Sequence, residues 1–402
     1  MRTSVRDRVQ ATVRTLWEDG KGLILLTVSC GWFLSLGVRI VYPALLPDIM
    51  AEFQIDYTGA GFLLSAIWIA YASVQFPGGL LADRFGERAI VLTSILSALG
   101  AVLLLVLAPA FSVFVLATVL LGLGTGLYGT SRVTILSDVY PDNRTTAVSF
   151  SQASGNVGNA VLPVIGGFVA AVFGWRIGFG YLVPAFVLVV GGIVLYLPKR
   201  TSAAPEESIG LEYVRNLARV VVDRTVVSAA LMLFFLMFFY QGITGFLPSY
   251  LIEVKGLSQT AASTVYGVFF LTAIAFQFVS GIVADRFGER RAIVLFVLAG
   301  LPWLASLPFV QTRWVVIPIA LLGAAVLGSI PPAHTYTVEL LPEAFQGSGY
   351  GLVRTVYIGL GASAPPVVGF AADIGYFNYV FLLFGTVTVC GAVICLRLPQ
   401  VD

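Results

Sequence analysis

Charge is what this chain has least of. Of its 402 residues, 11% are Asp, Glu, Lys or Arg, where a soluble domain carries about 25%. Hydrophobic residues make up 58%, and the mean hydropathy is +0.93. There is too little polar surface to coat a water-soluble body of this size, which excludes a soluble globular protein. The same arithmetic excludes a disordered chain and a nucleic-acid-binding one. Net charge is only +2, so no polyanionic partner is implied. A single histidine and three cysteines leave no metal cluster to build, and no cofactor is implied. Cys30, Cys390 and Cys395 are odd in number and sit in apolar runs. They read as small packing residues with no disulfide role. No glycine loop with a phosphate-binding lysine and no Ser-His-Asp set is present, so an enzyme is excluded. Carboxylates are also missing from the membrane interior: all 21 acidic residues fall in loops or at helix ends.

What the chain does have is long apolar runs. A membrane-spanning helix needs roughly 20 mostly apolar residues, and twelve such stretches occur, near 23–48, 57–81, 89–108, 111–138, 146–171, 175–197, 225–251, 259–283, 291–310, 313–340, 347–371 and 376–397. Residues 1–21 are too polar, and the first apolar run too long, for a cleaved signal. The longest polar stretch, 198–224, divides the spans six and six. The expected fold is an all-α membrane protein whose 12 transmembrane helices form two six-helix pseudo-symmetric bundles, 1–197 and 225–402, joined by a cytoplasmic linker at 198–224. Cations set the orientation. With both termini inside, 17 of the 23 Lys and Arg face the cytoplasm, among them Arg2, Arg6, Arg8, Arg14, Lys199 and Arg200. Three, Arg176, Lys255 and Arg313, lie outside, and the remaining three lie within spans. The expected location is the plasma (inner) membrane.

The two halves repeat each other. The segment from Gly79 to Arg88 (GLLADRFGER) returns from Gly281 to Arg290 (GIVADRFGER), an offset of 202. DVYP at 138–141 returns as ELLP at 339–342, an offset of 201. Parallel six-span repeats are one architecture of secondary transporters.

On these motifs the chain resembles the major facilitator superfamily along essentially its whole length. The carrying pattern is Gly-x-Leu-x-Asp-Arg-x-Gly-x-Arg between the second and third spans, met at 79–88 and in near-identical form at 281–290. The resemblance implies a transporter that rocks between two states around a central cavity lined mainly by spans 1, 4, 7 and 10. It also implies that Asp83, Arg84, Arg88 and Asp138, with Asp285, Arg286, Arg290 and Glu339 in the second half, latch the outward-open state. The loop makes physical sense without the resemblance: Gly86 suits a tight turn, and Asp83 suits the positive end of a neighbouring helix. In one respect the chain departs from many antiporters of the superfamily. Thr118 stands where they carry an arginine early in span 4, so their antiport element is not implied here.

Three arginines lie within spans: Arg39 in span 1, Arg132 in span 4 and Arg354 in span 11. An ionisable group there costs at least ~2.5 kcal/mol and usually faces a cavity with a partner. With no acid at similar depth, an anionic substrate is the partner expected, since guanidinium binds carboxylate or phosphate in a two-pronged pair. The span-1 arginine, four residues before Pro43, resembles that of organic-anion and organophosphate transporters in the superfamily. Tyr128 lies one turn from Arg132. His334 follows Pro331 and Pro332, a pair expected to interrupt span 10, and its pKa near neutrality suits a coupling proton. Span 5 carries Ser149, Gln152, Asn156 and Asn159 on one face, with Ser151, Gly155 and Gly158 as a packing seam on another. Span 7 offers Gln241. The expected cargo is therefore a small organic anion, a carboxylate, bound by Arg39, Arg132 and Arg354 with Tyr128, Asn156, Asn159, Gln241 and His334. Protons or a counter-anion would be coupled, in a monomer embedded in lipid. Two rival readings on the same fold are a drug exporter and a non-transporting sensor.

Overall fold

The computed structural model describes residues 16–198 and 211–400. Arg2, Arg6, Arg8, Arg14, Lys199 and Arg200, and the polar run 202–208, lie outside the described residues. Among the described residues, twelve helices are long and apolar enough to cross a membrane. Spans 1 to 6 are Lys21–Phe53, Tyr57–Ala82, Glu87–Leu107, Phe111–Val139, Pro141–Phe173 and Trp175–Tyr196. Spans 7 to 12 are Arg224–Glu253, Gln259–Phe287, Glu289–Phe309, Trp314–Glu339, Gln346–Asp373 and Phe377–Arg397. A short helix, Leu211–Val221, precedes span 7 and buries Leu217.

The chain turns where its residues allow it to. Gly86 and Gly288 occupy matching places in the two repeats, with φ of 83° and 86°. Each ends one helix and starts the next in a backbone region open essentially only to glycine. Arg88 and Arg290 also match. Arg88 Nη2 donates to the Val194 carbonyl at 2.8 Å, and Arg290 donates to the carbonyls of Cys395 (3.1 Å) and Leu396 (2.6 Å). Each thus ties the start of a third span to the last turn of a sixth, where orphan carbonyls and the negative helix end favour a cation. Arg84, Arg286, Asp285, Asp138 and Glu339 are exposed at the same end of the molecule. The side chain of Asp83 lies outside the described residues.

Prolines shape the spans in two ways. Span 1 runs unbroken through Pro43 and Pro47; Pro43 has no N–H for the Arg39 carbonyl. In span 7, Pro248 likewise frees the Thr244 carbonyl, and the Tyr266 hydroxyl donates to it at 2.5 Å. Span 10 does break, but ahead of the expected proline pair. It passes from one helix, Arg313–Gly323, through a tighter 3-10 stretch, Ala324–Ser329, to a second helix, Ile330–Glu339. Pro331 and Pro332 sit in the first turn of that second helix, where a missing N–H costs nothing. Span 11 breaks in the same manner between Gln346–Gly361 and Ala364–Asp373, with Pro365 and Pro366 opening the second piece.

Small residues decide how close the helices come. On span 5, a Cβ on Gly158 would lie 2.3 Å from the Phe33 carbonyl oxygen, and one on Gly155 would lie 2.4 Å from the Trp32 ring. The face with Ser151, Gly155 and Gly158 is therefore a seam against span 1. Spans of different halves meet just as closely at the end away from the repeat loops. A Cβ on Gly369 (span 11) would lie 2.1 Å from the Tyr57 carbonyl oxygen (span 2), and one on Gly267 (span 8) 2.4 Å from that of Ala160 (span 5). Hydrogen bonds seal this end. Asp373 accepts from the Tyr57 and Thr58 amides at 2.9 and 2.8 Å and from Thr58 Oγ1 at 2.5 Å. Gln259 donates to Asp48 at 2.5 Å. Toward the repeat loops a cavity opens, lined as far as Thr134, Gln277 and Gly347.

Candidate functional site

The cavity holds about 810 Å³. Spans 1, 4, 7 and 10 line it, and spans 2, 5, 8 and 11 do so as well. Arg39, Arg132 and Arg354 all face it, as do His334, Asn156 and Asn159. Among the described residues, no acidic side chain lines it.

Arg39 and Arg132 are held by aromatic rings and uncharged acceptors, and Arg354 by a tyrosine hydroxyl. Arg39 is 7% exposed. Its guanidinium carbon lies 4.1 Å from the centre of the Tyr71 ring and 5.1 Å from that of Trp68. Its Nε donates to the Ser35 carbonyl at 3.2 Å, while Nη1 has no acceptor among the described residues. Arg132, 5% exposed, lies 4.3 Å over the Trp32 ring. Its Nη1 donates to Ser151 Oγ and its Nη2 to Gln152 Oε1, both at 3.1 Å; Nε has no acceptor. Arg354 Nη2 donates to the Tyr71 hydroxyl at 3.3 Å. A desolvated cation–π contact is worth about 2 kcal/mol, comparable with the ~2.5 kcal/mol or more that each intramembrane cation costs. The rings therefore make Arg39 and Arg132 tolerable without neutralising them, and the field of the cavity stays positive.

The remaining expected site residues divide. His334 Nε2 lies 3.2 Å from the Tyr357 hydroxyl, with the Tyr350 ring centre 6.1 Å away. Asn159 is buried in the wall with Oδ1 unpartnered. Tyr128 is absent from the cavity wall. It is fully buried behind Trp32, stacked on it at 6.2 Å, and its hydroxyl donates to the Val28 carbonyl at 2.9 Å. Gln241 is also fully buried; its Nε2 donates to the Ile358 carbonyl at 3.0 Å, joining span 7 to span 11. Thr118 is bonded to Tyr42 and to the Phe114 carbonyl, deep between helices. Cys395 is buried, whereas Cys30 and Cys390 are exposed, and all three are free thiols.

Trp32, Trp68 and Tyr71 are the residues that sequence reasoning underrated. A signal existed: Trp32 precedes Arg39 by seven residues, two helical turns on one face, and Trp68 and Tyr71 are three apart.

A family model described as Major Facilitator Superfamily matches residues 27–364 and 229–402. The chain belongs to the major facilitator superfamily. It is accordingly a multi-pass membrane transporter and not an enzyme. Over 399 residues it is 27% identical to a cis,cis-muconate transport protein of Acinetobacter baylyi, covering 96% of this chain and 92% of that one. It is 23% identical over 353 residues to a fosmidomycin resistance protein of Escherichia coli, covering 87% and 86%. A bacterial homologue of the human lysosomal transporter Spinster, solved inward-facing and occupied, shares the fold with a TM-score of 0.75. That likeness covers 94% of this chain and 96% of the other at 16% identity.

Proposed function

We propose that this superfamily transporter carries a small organic anion, a carboxylate, through the cavity between its halves. One observation carries the reading: three guanidinium groups face one cavity in which no described acidic side chain lies. Arg39 and Arg132 each keep a buried N–H without an acceptor, and a carboxylate supplies acceptors and charge together. Similarity to a muconate transport protein supports an organic-anion cargo. Arg39, Arg132 and Arg354 bind the charge. Asn156, Asn159 and His334 shape the wall, and Tyr128 and Gln241 act from behind it, by backing Trp32 and by pinning span 11.

Transport proceeds by rocking of a 1–197 bundle against a 225–402 bundle about the linker. The excess of cations on the repeat-loop side supports a cytoplasmic position for that side and both termini, in a monomer of the plasma membrane. The open cavity is then inward-facing. The repeat-loop clusters latch the opposite state; in this one, Arg88 and Arg290 rest on helix-end carbonyls. A proton or a counter-anion is coupled, and His334 is the imidazole available for the proton.

A thermal-shift panel of organic anions, cations and sugars on purified protein tests the reading, because a ligand of the folded state raises its apparent stability. Carboxylates should raise the melting temperature of the wild type and leave that of Arg39→Ala unmoved. Stabilisation by cations or sugars alone would sink the anion reading. Uptake of the stabilising compound into proteoliposomes separates a transporter from a sensor built on this scaffold.

A further inference from the structure

The cavity holds its cations in two places. Arg39 and Arg354 share Tyr71, one over its ring at 4.1 Å and the other on its hydroxyl at 3.3 Å. Arg132 stands apart, 4.3 Å over Trp32 and bonded to Ser151 and Gln152. Trp32 and Arg39 lie on one face of span 1, seven residues apart, which is about 10 Å along the helix axis. A carboxylate accepts from donors within about 3 Å of its oxygens. The two places are served by different rings and different acceptors, with Tyr71 of span 2 at one and Trp32, Ser151 and Gln152 of spans 1 and 5 at the other. Each place also has a buried N–H in need of an acceptor, Nη1 of Arg39 and Nε of Arg132. A monoanion would leave two of the three cations unneutralised, a dianion one. Between the two places the wall is aromatic, with Trp32, Trp68, Tyr71 and Tyr240 all lining it.

We propose that the cavity selects a dicarboxylate with a flat, unsaturated spacer, one carboxylate at the Tyr71 place and the other at Arg132. The inference rests on the organic-anion reading and narrows it. Arg132 is then the residue that tells a diacid from a monoacid, and Gln152 positions it. The flat spacer follows from the aromatic wall: a flexible chain must give up rotor freedom to hold its ends apart.

Three probes test this by calorimetry on the purified full chain: terephthalate, benzoate and adipate. Terephthalate should bind at least about tenfold tighter than benzoate, and tighter than adipate. Arg132→Gln should bring terephthalate to within about threefold of benzoate, because the second carboxylate then has no cation to meet. Gln152→Ala leaves the charge in place and should lower the terephthalate-to-benzoate ratio several-fold, which keeps the test available if Arg132→Gln does not fold. Equal binding of benzoate and terephthalate by the wild type would overturn the dicarboxylate and leave the anion reading intact. Adipate binding as tightly as terephthalate would overturn the flat spacer. Binding of none of the three overturns the proposal as a whole, and the anion reading then stands or falls on the wider panel.

Discussion

Arg39 sits 7% exposed with two aromatic rings against it and one N–H unmet. Its fork is what an anion can use. Arg39→Lys keeps the charge and loses the planar pair of donors, so uptake should fall about tenfold or more while melting stays close to wild type. Normal uptake by the lysine variant would mean that charge alone suffices. His334 makes a different test. Its imidazole faces the cavity beside Tyr357 and Tyr350, on the same wall as Arg354. A proton carried on this imidazole would make uptake depend on the pH outside. His334→Gln keeps a hydrogen-bonding group without the titration. It should flatten the pH profile and spare exchange across a symmetric-pH membrane. A wild-type profile in that variant would place the proton elsewhere.

At the scale of elements, the contact of span 2 with span 11 depends on the lack of a side chain. A Cβ at Gly369 would stand 2.1 Å from the Tyr57 carbonyl oxygen, and one at Gly61 2.5 Å from that of Pro365. Backbone on both sides leaves nothing flexible to yield. Gly369→Ala should therefore destabilise this closed end by about 1–3 kcal/mol, the usual penalty of overpacking, and leave the other conformation untouched. Cysteine probes placed near Thr58 should label faster in that variant; unchanged labelling would show that the helices part at no cost. The prolines carry a second lesson at this scale. Pro331–Pro332 and Pro365–Pro366 each open a helix, so the break precedes the pair, and before the second pair the Ala362 carbonyl accepts from the Ser65 hydroxyl.

For the whole molecule, the question is what holds one end shut. Asp373 caps the start of span 2 from the other half with three hydrogen bonds, and a carboxylate at a helix N-terminus gains from its positive end. Asp373→Asn keeps the shape and removes the charge. On the order of 1 kcal/mol should be lost from the closed state, shifting the two populations about fivefold. Double electron–electron resonance between labels on spans 2 and 11 would report this as a growing population with separated ends on that side. An unaltered distance distribution would mean that the glycine contacts alone keep the end shut.

Twelve spans, their ends within a few residues, and the two-fold repetition were all legible from the sequence. The reason is that hydrophobic run length and internal repetition are local properties. The list of intramembrane cations without acids was equally legible, because it needs only depth along each span. Which side chains meet was decided by tertiary structure. Tyr128 and Arg132 look equivalent on their helix, yet one is sealed behind Trp32 and the other lies over its ring. Arg354 finds Tyr71 across 283 residues of chain, and Asp373 finds Thr58 across 315. Such pairings depend on how far each helix is rotated about its own axis. That rotation is set by the close approach of neighbours at residues such as Gly158 and Gly369, whose partners lie on other spans.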